Sequence, residues 1–542
     1  MNALMPLVRA LCIGLGYLSC VLVGVSVVHA APGALDTSFG NAGTRYPAGT
    51  VVAQASPSQR LAVAGNGSIY VAGDCNGPLG ASVCVRKFTA SGALDTTFGV
   101  AGYRALVVGE FTFLGVLGMA LAPSGEHIIL AGTCDITTTL TGGGSATVGT
   151  CIVRFNAAGG MLRHFYGGTE EAYFDSNLST AFAQLPSGVL ALAGFCASGD
   201  STFCSRMVSD TGFPLNSYVG LRSPGDYARV EAIATTTSGG LWIVTTCKDG
   251  ATFAVCVVKF TAYDVLDTTF GNTSGSSTRI MLEASGVPDT TAPVLIRATA
   301  VATQPDGKLI IAGSCRSNGV YRCVKRYLAD GSIDTTWAAG SATPNTLLFG
   351  RANESAVAPV LSVQDTLAVL GNGKIVNGTG LLQPPTLTPV HPPRSDVVVH
   401  RLRHDGSVDP LFGNNASGKA ILETWDASGT RINSAHSALA LTRDDALIVL
   451  GICKAELGTA PIEQPCLAKL SGGPLDYARC SADIDGDGLI TANDGLLLSR
   501  VALGFRDAAL VQNITFTADA QRKTGPAIRD YLFNQCGMPV LP

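Results

Sequence analysis

Three observations predict an all-β fold: a seven-bladed β-propeller of four-stranded blades, followed by a small α-helical calcium-binding module. One segment recurs along most of the 542 residues. Glycine-containing turns precede aliphatic runs at regular intervals. Cysteines recur in pairs at one place in the repeat. Composition agrees, since only 14% of residues are charged, 46% are hydrophobic and 64 are glycine. Soluble domains usually carry about a quarter charged residues, so strands covered on both faces and joined by many turns are expected. Such aliphatic richness excludes disorder for most of the chain. A net charge of −4 gives no basic field for nucleic acid.

Residues 1–30 have the pattern of a secretory signal peptide. Arg9 supplies the positive end, 10–28 the apolar run, and Val28-His29-Ala30 a small-residue cleavage site before Ala31. An uncleaved anchor is the weaker reading, because Gly14, Gly16 and Gly24 interrupt the run. A lipoprotein signal at Cys20 is weaker still, because Tyr17 stands where a small aliphatic residue belongs. No other stretch is long and apolar enough to span a bilayer, so no membrane span is expected after cleavage. Cleavage removes Cys12 and Cys20 and leaves an even number of cysteines, as a disulfide framework in an exported chain requires. The expected location is secreted, extracellular or cell-surface, with the periplasm as a further option.

The region 31–478 is repetitive. Gly33-Ala34-Leu35-Asp36-Thr37-Ser38-Phe39-Gly40 recurs as Gly92-Ala93-Leu94-Asp95-Thr96-Thr97-Phe98-Gly99. Degraded copies follow at Val265-Leu266-Asp267, Ile333-Asp334, Val408-Asp409 and Leu475-Asp476, with weaker ones near Leu162 and Leu215-Asn216. These anchors enclose seven intervals of roughly 50–75 residues. Turns at Asn66-Gly67, Ser124-Gly125, Ser187-Gly188, Ser238-Gly239, Asp306-Gly307, Asn372-Gly373 and Asp444-Asp445 repeat the count. All but the last have hairpin-turn chemistry. The short aliphatic runs after them are strands buried on both faces. Each unit therefore has about four strands: one after the Phe-Gly turn, two around the Gly turn, and one ending in Lys or Arg. Units of this kind make a propeller, whereas a β-helix uses shorter repeats without regular hairpins.

Six units carry one cysteine at the end of the third of these strands and one at the start of the fourth. The expected pairs are Cys75/Cys84, Cys134/Cys151, Cys196/Cys204, Cys247/Cys256, Cys315/Cys323 and Cys453/Cys466. The sixth unit has Gly380 and Val398 at those places and a proline-rich loop at 383–394, so both cysteines are absent together, as a bonded pair predicts. Each bridge contributes on the order of 2–3 kcal/mol by constraining the unfolded chain. No CxxC cluster or neighbouring histidine suggests a metal or catalytic thiol.

Gln304-Pro305-Asp306-Gly307-Lys308-Leu309-Ile310-Ile311-Ala312-Gly313, then Val324-Lys325-Arg326-Tyr327 and Asp330-Gly331-Ser332-Ile333-Asp334, resemble the delta-60 repeat over about 33–476. The resemblance implies an exported bacterial protein of propeller-like architecture. It brings no catalytic residues, because that repeat has no established common activity.

After Asp476 the texture changes, and 479–542 is expected to form a separate module. The segment from Asp483 to Asp494 fits a twelve-residue EF-hand loop for Ca2+. Asp483, Asp485 and Asp487 stand at loop positions 1, 3 and 5, Gly488 at the turn, and Leu489 at the backbone-carbonyl position. Thr491 stands at the water-mediated position and Asp494 at the closing one. Such hard oxygen donors suit calcium better than zinc. A leucine-rich helix stopped by Gly504 follows, and a second helix is expected near 526–535. Together these resemble half of a dockerin-type module over 480–536. The second loop of that pattern, near Thr517-Ala518-Asp519-Ala520, lacks the acidic ladder. Cys480 and Cys536 bracket the module as a seventh pair.

Other signals carry less. Gly413-Asn414-Asn415-Ala416-Ser417-Gly418-Lys419 has phosphate-loop spacing, but Ala420 and a strand follow it, where a Ser or Thr and a helix are needed. His400 and His404 read as a solvated strand end. The aspartates of the repeat (Asp36, Asp95, Asp267, Asp334) read as turn residues bonding their own backbone. The expected function is a non-enzymatic binding or structural scaffold for an extracellular protein or glycan. The alternative is an exported polysaccharide hydrolase or lyase acting from the propeller funnel, although only three tryptophans are available for sugar stacking.

Overall fold

The computed structural model describes residues 32–40, 44–45, 59–77, 80–108, 111–122, 127–135, 148–162, 173–175, 178–185, 187–195, 202–209, 215, 219–222, 229–249, 252–262, 265–267, 270, 280–284, 293–317, 319–341, 343, 345–351, 366–370, 373–383, 386–387, 390–391, 394–413, 417–422, 424–425, 431–432, 434–442, 446–457, 460–471, 484–486, 491–517, 520 and 522–532. The segment 1–30, expected to be a signal peptide, lies outside them. No helix among the described residues is long and apolar enough to cross a membrane.

The architecture is mostly β. Among the described residues, five four-stranded antiparallel sheets accompany one eight-stranded sheet that spans the first two sequence units, and two short hairpins stand apart. The fifth unit shows how the sequence builds a sheet. Its first strand, Val294–Thr303, leads into the turn at Asp306-Gly307, where Gln304 N donates to Lys308 O at 2.9 Å and Gly307 takes φ +83°. The chain returns as Leu309–Arg316, whose Leu309, Ile310, Ile311 and Ala312 are buried as the aliphatic run requires. Val320–Tyr327 pairs next, and Thr346–Arg351 forms the outer edge. The strand after the Asp-containing turn thus completes the sheet of the preceding third strand. Sequence periodicity alone allowed either assignment.

The last sheet takes its outer strand from the other end of the chain. Thr44 and Arg45 pair with Ala468 and Leu467, and Leu35 bridges Leu470. The first strands of successive units also pack side by side. Arg60–Val63 lies against Phe111–Leu121, followed by Leu178–Gln184, Arg229–Thr235, Val294–Thr303, Thr366–Val369 and Ser434–Leu441, which returns to Arg60–Val63. Five of these strands carry a bulge at one shared place, as at Val116/Gly118, Val230/Ala232 and His436/Ala438. A bulge bends and twists a strand.

The apolar core lies between neighbouring sheets. Tyr70 and Phe98 pack with Val116 and Phe155, Trp242 with Leu309 and Tyr327, and Val376 and Phe412 with Leu447 and Val449. Phe39, Ile69 and Phe88 meet Ile448 and Leu450 where the two chain ends come together. At the C-terminal end, helices α1 (Ala492–Ala502), α2 (Asp507–Val511) and α3 (Gly525–Asp530) close over Ile484, Leu497, Val501, Leu510, Ile528 and Leu532.

Candidate functional site

Asp36, Asp95 and Asp334 form the turn bonds expected of them, and a second set of bonds as well. Asp95 Oδ1 accepts from Thr97 N at 3.1 Å and Thr97 Oγ1 at 2.5 Å, while Oδ2 meets Lys87 Nζ at 2.9 Å. Asp36 holds Ser38 and Lys469, Asp334 holds Thr336 and Arg326, and Asp409 holds Leu411 N together with Arg401 and Lys374. Asp267 pairs with Lys259 at 3.1 Å. One cation of each latch comes from the end of the third strand, and several lie over an aromatic ring. Arg401 is 4.7 Å from the Phe412 centroid and Lys259 is 5.1 Å from that of Trp242. Thr97 and then Lys87 hold the Asp95 carboxyl below the usual carboxylate range. Burial opposes ionisation of Asp334, but Thr336 and Arg326 outweigh it and bring its pKa to about 2. Each of these carboxylates is held in an ion pair with a framework lysine or arginine.

Each latch also locks one unit to the next. The motif aromatic lies beneath a left-handed glycine of the following unit: Trp337 under Gly406 (φ +83°) and Phe412 under Gly33 (φ +77°). A Cβ at Gly406 would enter the indole, so glycine is required there for space as well as for its backbone angle. Backbone bonds follow, with Ala338 N donating to Asp405 O at 2.8 Å and Gly413 N to Pro32 O at 2.7 Å.

The junction between the fifth and sixth units has the densest polar network described. Arg326 Nη1 donates to Gln304 Oε1 (3.0 Å) and His404 O (2.6 Å), and Gln304 Nε2 donates to Gly373 O (2.7 Å). Asp306 Oδ2 meets His404 Nε2 at 3.1 Å and Lys308 Nζ at 3.3 Å. Burial opposes ionisation of Asp306, yet His404 and the Lys308 amide pull its pKa far below the carboxylate range. A cavity of about 300 Å³ beside this network is lined by Thr336, Ala338, Ser341, Leu347, Asp405 and Val408 among others. Ala338 takes φ +52°, a strained angle that costs on the order of 1–3 kcal/mol. The cations and the aspartates were both visible in the sequence, and the fixed spacing between them could have shown the pairing.

Cysteines join where two pairs are fully described, Cys134–Cys151 and Cys315–Cys323, with Cα separations of 6.0 and 5.8 Å. Cys84, Cys256 and Cys466 are also disulfide-bonded. Cys75, Cys204, Cys247 and Cys453 fall within their expected strands. Cys196, Cys480 and Cys536 lie outside the described residues. Strand register corrects one detail of the sixth unit. Ile375 pairs with Leu402 as Leu309 pairs with Tyr327, which places Leu381 rather than Gly380 at the position of Cys315.

Of the expected calcium ligands, Asp483, Asp487 and Leu489 lie outside the described residues. Asp485 is buried, and Thr491 caps helix α1. Asp494 closes a capping box. Its Oδ1 accepts from Ile484 N (2.6 Å) and Asp485 N (3.1 Å), and its Oδ2 from Thr491 N (2.7 Å) and Thr491 Oγ1 (3.0 Å). A carboxylate offers about four lone-pair positions, and four donors occupy them. In this arrangement Asp494 does not fit as a direct metal ligand. Among the described residues, no group of three or more His, Cys, Asp or Glu is placed to hold a metal ion.

His400 and His404 do not converge. The His400 ring lies 4.4 Å from Phe349, and burial, with Lys419 adding to it, lowers its pKa to about 4. His404 lies beyond the strand Arg394–Leu402 and binds Asp306. His400 is therefore not the solvated strand end expected, whereas His404 stands just past the strand and is partly exposed. Lys419 opens the strand Lys419–Leu422, so the 413–419 turn enters no helix.

Residues 304–336 match the family described as Domain of unknown function (DUF5122) beta-propeller. With the mostly β architecture, this match supports a β-propeller family. No curated protein matches the chain. Among solved structures it is similar to polysaccharide lyase Uly1, at 10% identity over 79% of this chain and 92% of that one, with a TM-score of 0.44. An ulvan lyase of family PL25 shares 12% identity over 79% and 95%, TM-score 0.42. A protein of unknown function from Dyadobacter fermentans shares 11% over 79% and 99%, TM-score 0.35.

Proposed function

We propose that the chain is an exported, disulfide-stapled binding scaffold: a seven-bladed propeller of four-stranded blades, closed by its N-terminal strand and followed by a C-terminal module. Its partner is an extracellular protein or glycan. The observation that carries this reading is where the repeat spends its charge. Asp36, Asp95, Asp267, Asp334 and Asp409 are each consumed by a lysine or arginine of the framework. The packing of the seven first strands, from Arg60–Val63 round to Ser434–Leu441 and back, supports the blade count. The two disulfides described fit an oxidising compartment, in keeping with a cleaved signal at 1–30. The acidic ladder at Asp483, Asp485 and Asp487, with the Leu489 carbonyl and Thr491, supports Ca2+ binding, Asp494 closing the loop through its donors. The binding face is the rim of hairpins between second and third strands. In the sixth and seventh units these pair as far as Gln383 with Arg394 and Leu457 with Ala460.

The test is a glycan and cell-surface binding screen of the purified mature chain, with each binding glycan then incubated at length and its products separated. Retention without chain cleavage is expected. Appearance of unsaturated uronic ends or new reducing ends would overturn the scaffold reading in favour of a lyase or hydrolase.

A further inference from the structure

We infer that the C-terminal loop is closed by the protein's own groups, with Arg522 standing as a resident cation against the loop backbone. The inference deepens the calcium reading above and rests on it only for what the ion adds. Arg522 N donates to Asp485 O at 2.8 Å, and its Nε donates to Ile484 O at 2.7 Å. The guanidinium lies over the Tyr531 ring, 3.8 Å from the centroid, and a Cβ at Gly486 would stand 2.8 Å from one of its nitrogens. Gly486 takes φ +74°, so the loop turns there with its backbone against the guanidinium. From the other side, buried Asp494 binds the amides of Ile484, Asp485 and Thr491. One carboxylate therefore joins the two ends of the loop, and one guanidinium ties the loop to the segment that carries α3.

Loops whose carboxylates converge on one point repel themselves, and an ion normally gathers them. Here the closing carboxylate is already satisfied by four donors. Charge-assisted bonds of this kind are roughly twice as strong as neutral ones, and Arg holds such geometry because its donors form a rigid fork. The loop stays closed without metal, Arg522 acts as its positioning residue, and calcium adds an increment to a structure already formed.

Hydrogen exchange of the full mature chain, with chelator and with calcium, tests this. In chelator the wild type keeps α1 and α3 protected. Arg522→Met in chelator exchanges there about tenfold faster or more, and calcium restores much of the protection. Arg522→Lys, which keeps the charge but not the fork, falls between. Loss of protection by the wild type in chelator overturns the inference, as does an Arg522→Met chain as protected as the wild type. A wild type protected in chelator and unchanged by calcium in exchange or melting overturns the calcium reading and leaves the clasp standing.

Discussion

His436 shows what a single side chain costs in a charge-poor interior. It lies in the strand Ser434–Leu441 of the seventh sequence unit, 2% exposed, with Nε2 2.5 Å from Thr366 Oγ1 and no hydrogen-bond partner for Nδ1. Burial lowers its pKa to about 3, against about 6.5 in an unfolded chain. The folded state therefore binds fewer protons than the unfolded state between those values. The stability this group contributes is complete above about pH 6.5 and is lost as pH falls from there toward 3, at about 1.4 kcal/mol per unit. Denaturation midpoints at pH 7 and pH 5 should separate clearly in the wild type and less in His436→Asn; equal separations would remove His436 as the cause. Nothing in the sequence marked this histidine, because its burial depends on the meeting of two first strands from different units. The repeat aspartates were legible as turn residues, because an Asp two residues before an amide bonds it in most contexts.

Hairpins are the elements that the sequence describes best. Glycine turns, aliphatic runs and the terminal Lys or Arg placed the second and third strands of the units with little ambiguity, because local chemistry determines them. Fourth strands were harder, since pairing after the Asp-containing turn is a tertiary choice. The bulges shared by the first strands left no pattern that periodicity could detect. At the candidate metal loop the ligand spacing was legible, whereas the Arg522 clasp comes from a segment with no recognisable loop motif. One element has a measurable staple. The Cys315–Cys323 bridge closes a separation of 8 residues. Replacing both cysteines by serine should lower stability by about 2–3 kcal/mol through the freed unfolded chain. Chemical denaturation of the double variant checks this, and a difference below about 0.5 kcal/mol would mean that the hairpin turn alone holds the strands.

At the scale of the molecule, a small N-terminal segment completes the sheet of the seventh unit. Asp36 pairs with Lys469, Gly33 N donates to Ser471 O, and Phe412 packs beneath Gly33. The pairing of residues 35–45 with 467–470 was not legible, because in the sequence these segments read as two ends of a series rather than as neighbours. A mature chain lacking 31–45 should melt several degrees lower and self-associate with rising concentration, because the edge strand Ala460–Leu470 loses its cover. Melting curves and size-exclusion profiles identical to those of the intact chain would show that this segment is not the closing element.

The seam at Thr44 and Ala468 also fixes an order of events. The strand that leaves the ribosome first is the last to find its partner, and the proposed signal cleavage site lies just ahead of it. Until the strand Ala460–Leu470 has been made, that N-terminal strand is an unpaired edge. A chain stopped short at any point before residue 460 has nothing for it to join. The N-terminal edge strand is thus covered only once the chain has reached its seventh unit.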